Sequence, residues 1–130
     1  MTSPTASATS ETVAFGIAEE ALGGGLFVVA VRGELDLATA PELRRRFDAV
    51  IEAGATAIVV DLAEVSFVDS VSLAAILNAR KRLEGGRLSV VALPDTYASL
   101  ILEVAGVDDL LGVVSSRDAA IARVRGSSGG

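Results

Sequence analysis

Apolar positions along the chain fall into two patterns, short continuous runs and longer stretches with helical spacing. The runs are Leu26–Val31, Ala57–Leu62 and Leu88–Leu93, in which polar residues are rare. Such runs are typical of parallel strands that are buried on both faces of a sheet. An earlier segment, Thr12–Ile17, alternates weakly and is separated from the first run by a loop that contains the glycines 23–25. We expect it to be an edge strand that pairs with Leu26–Val31 as an antiparallel hairpin.

Two helices are predicted between the buried runs. The first begins near Thr39, has Pro41 in its first turn, and presents an apolar face made of Leu43, Phe47, Val50 and Ile51. The second is predicted over about Ser70–Leu83, and the glycine pair at 85–86 ends it.

Two more helices are predicted after the last buried run. Asp95 is the expected cap of the third helix, whose inner face is predicted to consist of Tyr97, Leu100, Ile101 and Val104. A short last strand, Leu110–Val114, precedes a fourth helix over Ser116–Val124. A hairpin followed by alternating helices and strands predicts an α/β fold with a mostly parallel central sheet, an antiparallel N-terminal edge strand and about four helices.

Length and composition indicate one domain. The chain has 130 residues, of which 51% are apolar, and this is enough for a single hydrophobic core. We expect a disordered leader at residues 1–11, which are rich in Ser, Thr and Ala, one folded domain at 12–124, and a flexible tail at 125–130. No apolar run reaches the ~20 residues of a membrane span, and the first ten residues lack the features of a signal peptide. The sequence therefore predicts a cytoplasmic protein.

Composition also excludes several kinds of chemistry. With no cysteine and no histidine, the chain cannot build disulfides, Cys/His zinc sites or catalysis that depends on histidine. A formal net charge of -6 opposes binding to nucleic acid or to an anionic membrane, so the triplet Arg44–Arg46 is expected to be a solvated helix face. We expect a protein or a small ligand as the partner, with no metal, no cofactor and no nucleic acid.

The loops at the carboxyl ends of the strands are where an α/β sheet carries its site. In this chain these loops are Glu34–Asp36, Glu64–Ser72 and Pro94–Thr96. Asp69 and Ser70 stand at the start of the second helix, where their side chains can accept hydrogen bonds from free amides. By spacing alone, helix capping is the simplest interpretation of these residues and of Asp36. A phosphorylated serine would also be stabilised at a helix N-terminus.

Two other kinds of site fit the sequence poorly. A phosphoacceptor site of the response-regulator type needs a lysine near a strand end, whereas Lys81, which is the only lysine, lies inside a predicted helix. The Gly-x-x-x-x-Gly-Lys-Ser/Thr pattern of a P-loop is absent. The loops at 34–36 and 64–72 are therefore left without a match to either kind of phosphate site.

Two motifs resemble those of a known family. The segments Gly33–Leu43, GELDLATAPEL, and Val59–Ser70, VVDLAEVSFVDS, are similar to the STAS domains of bacterial anti-sigma factor antagonists. The resemblance covers about residues 12–124 and has both motifs in the family's order. It implies a STAS-like fold and a regulator of transcription that binds an anti-sigma factor, usually a serine-kinase-like protein, and thereby releases a sigma factor.

The same resemblance implies a phosphorylation switch, from which this chain departs. In the family, a serine or threonine within Asp-Ser-Ser/Thr-Gly-Leu is phosphorylated and binding is lost. Asp69–Leu73 aligns with this motif without gaps, but Val71 occupies the acceptor position and Ser72 replaces the glycine. Ser70 and Ser72 are therefore the remaining candidate phosphoacceptors, and Ser70 is expected to be engaged as a helix cap.

Helical spacing predicts which way the residues of this turn point. Ser72 should face the sheet together with Ile76, Ala79 and Leu83. Val71 should face outward together with Ala75, Asn78 and Arg82. The hydroxyl would thus be turned inward and an apolar side chain offered to a partner.

The resemblance favours an anti-sigma factor antagonist-like regulator that is not an enzyme. Its expected partner-binding residues are Glu34, Asp36, Asp69, Ser70 and Val71. The alternative is a STAS module that is not phosphorylated and serves as a scaffold or as an accessory to transport. A small enzyme or ligand-binding domain that uses Asp61, Asp69 and Ser70 is disfavoured, because the chain offers carboxylates alone as general bases.

Overall fold

The structure, a computed structural model, describes residues 13–129 of the chain. The predicted leader, residues 1–11, lies outside the described residues. The described residues form a four-stranded sheet and four α-helices. None of the helices described between residues 13 and 129 is long and apolar enough to cross a membrane.

The strands lie across the sheet in their order along the chain: β1 Gly16–Gly23, β2 Leu26–Leu35, β3 Ala57–Val68 and β4 Leu88–Val91. β1 is antiparallel to β2, whereas β2, β3 and β4 are parallel to one another. The predicted hairpin and mostly parallel sheet are thereby confirmed. The edge strand lies closer to the glycine loop than the predicted Thr12–Ile17, because the hairpin continues up to its turn at Gly24 and Gly25.

The helices are α1 Ala40–Glu52, α2 Ser70–Arg82, α3 Tyr97–Val104 and α4 Arg117–Gly129, with a 3₁₀ turn at Glu84–Gly86. The first two lie where the sequence predicts them, and Pro41 stands in the first turn of α1. Helix α4 continues past the predicted end at Val124, into the segment that the sequence analysis assigned to the tail.

Helices cover both faces of the sheet, but unequally. On one face α1, α2 and α3 bury the main core, whose largest members include Leu35, Leu43, Phe47, Ile58, Leu62, Ile76 and Leu102. On the other face α4 packs through Ala120 and Val124 on Val28 and Val59. Alternate residues of β2 and β3 therefore point into different cores, which explains why both strands are apolar throughout.

The predicted last strand, Leu110–Val114, is not formed. Val114 makes an isolated bridge to Val91, and the residues before it form turns. Gly112 has a φ of 55°, and the Val113 amide donates to the Asp108 carbonyl at 3.0 Å, so the chain curls where an extended strand was expected. An apolar run of this length does not distinguish a strand from a packed turn.

Helix α3 differs from its prediction in both its cap and its buried face. Thr96, not Asp95, caps it, through a hydrogen bond from the Ser99 amide at 3.2 Å. Asp95 stands in the preceding turn with a φ of 63°. The residues that α3 buries are Ala98 and Leu102. Three residues of the predicted inner face point outward instead, since Tyr97 is 40%, Leu100 53% and Val104 73% exposed, whereas the fourth, Ile101, is half-buried.

Candidate functional site

The carboxyl ends of β2 and β3 lie side by side and carry the two predicted loops. Leu35 of β2 and Val68 of β3 are paired residues in the parallel register. Asp36 and Asp69 each follow directly, so the sheet itself brings their backbones together. The Asp69 amide donates to the Leu35 carbonyl at 3.0 Å, which joins the two loops.

Asp69 forms the cap of α2. Its Oδ1 accepts a hydrogen bond from the Ser72 amide at 2.8 Å, and its carbonyl accepts from the Leu73 amide at 3.0 Å. The extended backbone of Asp69, with φ -103° and ψ 178°, is the usual conformation of a residue at this position. A carboxylate here also faces the positive end of the helix dipole. The geometry thus fixes the direction in which α2 leaves the sheet.

Asp36 organises the neighbouring loop in a similar way. Its Oδ1 accepts from the Ala38 amide at 3.0 Å and from the Thr39 amide at 3.1 Å. The Thr39 hydroxyl donates to the Glu34 carbonyl at 2.8 Å and accepts from the Asp36 amide at 2.9 Å. Thr39 is the residue before α1, as predicted, but its hydroxyl holds the loop rather than the helix amides. The loop is consequently a closed turn, with the Glu34 side chain exposed.

Gly33 allows the chain before β1 to approach this loop. A Cβ atom at residue 33 would lie 2.8 Å from the Cα of Phe15, which no real side chain tolerates. Gly33 also has a φ of 91°, a conformation that favours glycine. The first motif therefore needs glycine at this position for two independent steric reasons.

The turn after Asp69 presents Ser70 and Val71 and hides Ser72. Ser70 is exposed and is not the cap that the sequence analysis expected, because Asp69 takes that role. Val71 is half-buried. Ser72 is fully buried, and its hydroxyl has no hydrogen-bond partner among the described residues.

Most of the predicted orientation of α2 is confirmed. Ser72 lies on the buried face with Ile76, Ala79 and Leu83. On the face that was expected to point outward, Asn78 and Arg82 are exposed, but Val71 is half-buried and Ala75 is 4% exposed. Helix α1 packs on that side of α2 and covers it.

Exposed apolar residues lie beside the turn, and the sequence analysis did not identify them as part of a site. The Phe67 ring stacks on Tyr97, with centroids 5.2 Å apart and planes 14° apart. This stack brings the third predicted loop, Pro94–Thr96, to the same edge of the sheet. Leu37 is 71% exposed within the Asp36 turn. An apolar residue inside a turn is the signal that could have been noticed for Leu37.

Asp61 lies apart from this edge and belongs to a different contact. It is eight residues before Asp69 on an extended strand, which is about 26 Å at ~3.3 Å per residue. Its Oδ2 accepts from Arg117 Nη2 at 2.9 Å, and this ion pair ties β3 to α4. The three residues of the hypothetical enzyme site are therefore not brought together. Within residues 13–129 no group of three acidic side chains is placed to hold a metal ion.

The arginine triplet of α1 is partly neutralised. Arg45 and Arg46 both bond to the Glu42 carboxylate, Arg46 at 2.8 Å. Hydrogen bonds from Arg45 and then Arg46 hold the pKa of Glu42 below its ordinary value of 4.5. The same contact raises the pKa of Arg46. Arg44 and Arg45 are exposed, as expected, whereas Arg46 is half-buried and donates from Nη1 to the Ile17 carbonyl of β1 at 3.1 Å.

Comparison with solved structures places this geometry among known proteins. An anti-sigma factor antagonist from Mycobacterium paratuberculosis is 29% identical, with a TM-score of 0.77 over 86% of this chain and 95% of that one. The anti-sigma factor antagonist SpoIIAA in its unphosphorylated form is 24% identical, with a TM-score of 0.68 over 85% of this chain and 97% of that one.

A protein of different description shares the same fold. A sulfate transporter family protein from Wolinella succinogenes is 18% identical, with a TM-score of 0.64 over 85% of this chain and 93% of that one. No curated protein sequence matches the chain. The model of the STAS domain family matches residues 21–120, which contain both strand ends and the turn at Asp69. The chain belongs to the STAS domain family.

Proposed function

We propose that this protein is an anti-sigma factor antagonist-like regulator that binds a kinase-type anti-sigma factor and so releases a sigma factor. The observation that carries the proposal is the surface at the carboxyl ends of β2 and β3. There Glu34, Asp36, Asp69, Ser70 and Val71 meet on two loops that are joined by a backbone hydrogen bond. The similarity to the Mycobacterium paratuberculosis antagonist supports the same function.

The chemistry of this surface suits a protein partner. Three of its residues are acidic, and exposed apolar side chains stand beside them, namely Leu37, Phe67 and Tyr97. Apolar contact area with a charged rim is the usual composition of a transient protein interface. The partner is therefore expected to offer apolar side chains surrounded by basic residues.

The proposed regulator lacks the usual phosphorylation switch. Val71 stands at the acceptor position and Ser72 is fully buried, so neither offers an accessible hydroxyl to a kinase. Ser70 is exposed, and its hydroxyl makes no hydrogen bond within residues 13–129. We expect binding that is not released by phosphate at the acceptor position.

A charge at position 71 tests the binding surface. Val71→Asp should weaken the complex with the cognate kinase-type anti-sigma factor about tenfold or more, because it buries a carboxylate against an apolar contact. The matched control is Val104→Asp, at the far end of α3, where the side chain is 73% exposed. Isothermal titration calorimetry measures the affinity of each variant and of the natural chain for the anti-sigma factor. Equal weakening, or none in either variant, would contradict the proposal.

A second experiment tests the missing switch. The protein is incubated with the kinase and ATP and then analysed by intact mass and peptide mapping. Val71→Ser provides the positive control, because it restores a hydroxyl at the acceptor position, and it should gain one phosphate. The natural chain should gain none within residues 70–72. Phosphate on Ser70 or Ser72 of the natural chain would contradict the proposal that the switch is missing.

Val71 also supports a second candidate, a STAS module that acts as a scaffold or transport accessory. Such a module needs no phosphoacceptor, and the fold shared with the sulfate transporter family protein is compatible with it. Gel filtration with the kinase-type anti-sigma factor separates the two candidates. A stoichiometric complex supports the antagonist, and its absence, together with copurification of a transport assembly, supports the module.

A further inference from the structure

A cavity lies on the face of the sheet that α4 covers only in part. Helix α4 packs through Ala120 and Val124 over the first halves of β2 and β3. Farther along these strands, toward their carboxyl ends, a cavity of about 280 Å³ crosses β1, β2 and β3. Arg117, at the start of α4, lines one side of it. The cavity is thus separated by the sheet from the main core and from α1, α2 and α3.

Small side chains form the floor of this cavity. Ala18 of β1 and Ala30 of β2 are paired residues, and both line the cavity. Ala63 of β3 completes the floor. Side chains of this size leave the space above the sheet open, whereas the larger valines earlier in β2 and β3 are covered by α4. The floor therefore offers an apolar surface made of methyl groups.

A bulge in β3 shapes the cavity. In the register of the two strands, β2 advances by two residues between Ala30 and Arg32. Over the same distance β3 advances by three, from Asp61 to Glu64, so it contains one extra residue. Such a bulge redirects side chains, and both Ala63 and Glu64 line the cavity. The Ala63 amide donates to Asp61 Oδ1 at 3.0 Å, and the other oxygen of this carboxylate is held by α4. The bulge is therefore fixed by hydrogen bonds, and the cavity is preformed.

Two opposite charges line the cavity and do not pair. Arg32 and Glu64 are exposed and are partners in the register of β2 and β3. Within residues 13–129, neither side chain forms an ion pair or a hydrogen bond. The Arg32 guanidinium leans toward β1 instead, where a Cβ atom at Gly16 would lie 2.8 Å from its Nε. The positive charge thus lies over β1, whereas the negative charge belongs to β3, two strand spacings or about 10 Å away.

We propose that this cavity binds a small zwitterion, an α-amino acid with an apolar side chain, independently of the proposed regulatory function. The ligand carboxylate accepts paired N–H donors from Arg32, and the ligand ammonium donates to Glu64. The apolar side chain lies on the alanine floor. An anion or a cation alone would leave one of the two charges unmatched. The volume is just below the range of about 300–1,000 Å³ of pockets for larger ligands, so the ligand is small.

NMR titration of the isotope-labelled full chain with L-leucine and L-alanine tests the proposal. Both amino acids should bind saturably and shift the backbone amide resonances of Ala18 and Ala30. L-Leucinamide lacks the carboxylate, and N-acetyl-L-leucine lacks the ammonium. Each derivative should bind at least about tenfold more weakly than leucine, because it leaves one charged side chain without a partner.

Two substitutions assign the two charges. Arg32→Gln should weaken the binding of leucine about tenfold and remove the preference for leucine over leucinamide, because the carboxylate then has no guanidinium to bind. Glu64→Gln should weaken binding similarly and remove the preference for leucine over N-acetyl-leucine. A structural disturbance of the cavity would not produce this crossed pattern. Both side chains are exposed, so the variants should fold normally, which circular dichroism verifies.

Arg44→Gln and Glu52→Gln are the matched controls, because they remove the same charges from exposed positions on α1. They should leave the affinity for leucine unchanged. Ala18→Leu fills the cavity from an exposed position on β1 and should abolish binding. Dissociation constants above about 10 mM for both amino acids would overturn the proposal. Equal affinity for leucine and its two derivatives, equal losses in the variants and their controls, or full binding by Ala18→Leu would overturn it as well.

Discussion

Helices α2 and α3 depart from the usual division between core and surface in opposite directions. Both follow a buried parallel strand, and both begin at a side chain that accepts a hydrogen bond from the third amide along. Yet α2 buries the hydroxyl of Ser72 on its inner face, whereas α3 exposes Leu100 and Val104 on its outer face. A polar group is hidden in one helix, and apolar area is displayed in the other.

The difference follows from what covers each helix. Helix α2 packs on the sheet with α1 beside it, so even Ala75 on its side is buried. Helix α3 contacts mainly β3 among the other elements and keeps only two of its residues buried, Ala98 and Leu102. A helix that is apolar on more than one side can bury either face, and its neighbours decide which. Three comparisons between variants test this contrast.

The largest effect is expected inside α3. Leu102 is fully buried, so Leu102→Ala should lower the free energy of unfolding by about 2–5 kcal/mol through lost burial and a cavity. Leu100 is 53% exposed, and Leu100→Ala should change the free energy of unfolding by less than about 0.5 kcal/mol. Urea unfolding measures both. If Leu100→Ala proved as costly as Leu102→Ala, the assignment of the exposed face would be wrong.

A smaller effect is expected at the two caps. Asp69→Ala should cost about 1–2 kcal/mol, because it removes a charged acceptor at 2.8 Å from the start of α2. Thr96→Ala should cost about 0.5–1 kcal/mol, since its bond is neutral and longer, 3.2 Å. Asp69→Asn keeps an acceptor and should retain most of the stability. Thermal unfolding of the three variants ranks them, and a larger loss in Thr96→Ala than in Asp69→Ala contradicts this reasoning.

The smallest effect is expected at Ser72, and it has the opposite sign. Ser72→Ala removes a buried hydroxyl that has no partner within residues 13–129, so it should raise the free energy of unfolding by up to about 1 kcal/mol. Ser70→Ala is the control, because that hydroxyl is exposed and should be nearly neutral. Destabilisation by Ser72→Ala in chemical unfolding would mean that the hydroxyl has an acceptor after all.

Local sequence patterns correctly predicted those parts of the fold for which only one interpretation was physically possible. The buried runs at 26–31 and 57–62 lie in strands because continuous apolar residues suit a sheet covered on both faces. The runs at 97–104 and 110–114 allowed two interpretations each, and tertiary packing chose between them. Spacing alone could not choose the exposed face of α3 or detect the bend at Gly112.

The candidate site was predicted in part for the same reason. The positions of Asp36 and Asp69 follow from strand ends that share one edge, and a parallel sheet requires that. The cap of α2 could be either Asp69 or Ser70 by spacing, and the hydrogen bond to the Ser72 amide decides for Asp69. The stacking of Phe67 on Tyr97 joins distant parts of the sequence. It depends on the outward rotation of α3, which no local pattern encodes.

Because the Asp69 amide donates to the Leu35 carbonyl, the exchange of its hydrogen reports on whether the two loops of the surface stay together. While the two loops stay together, this amide should exchange its hydrogen with water slowly, although Ser70 next to it is exposed. A partner that docks on the surface as it stands would slow the exchange further. A partner that separates the loops would accelerate it, so a single NMR resonance would distinguish rigid docking from opening.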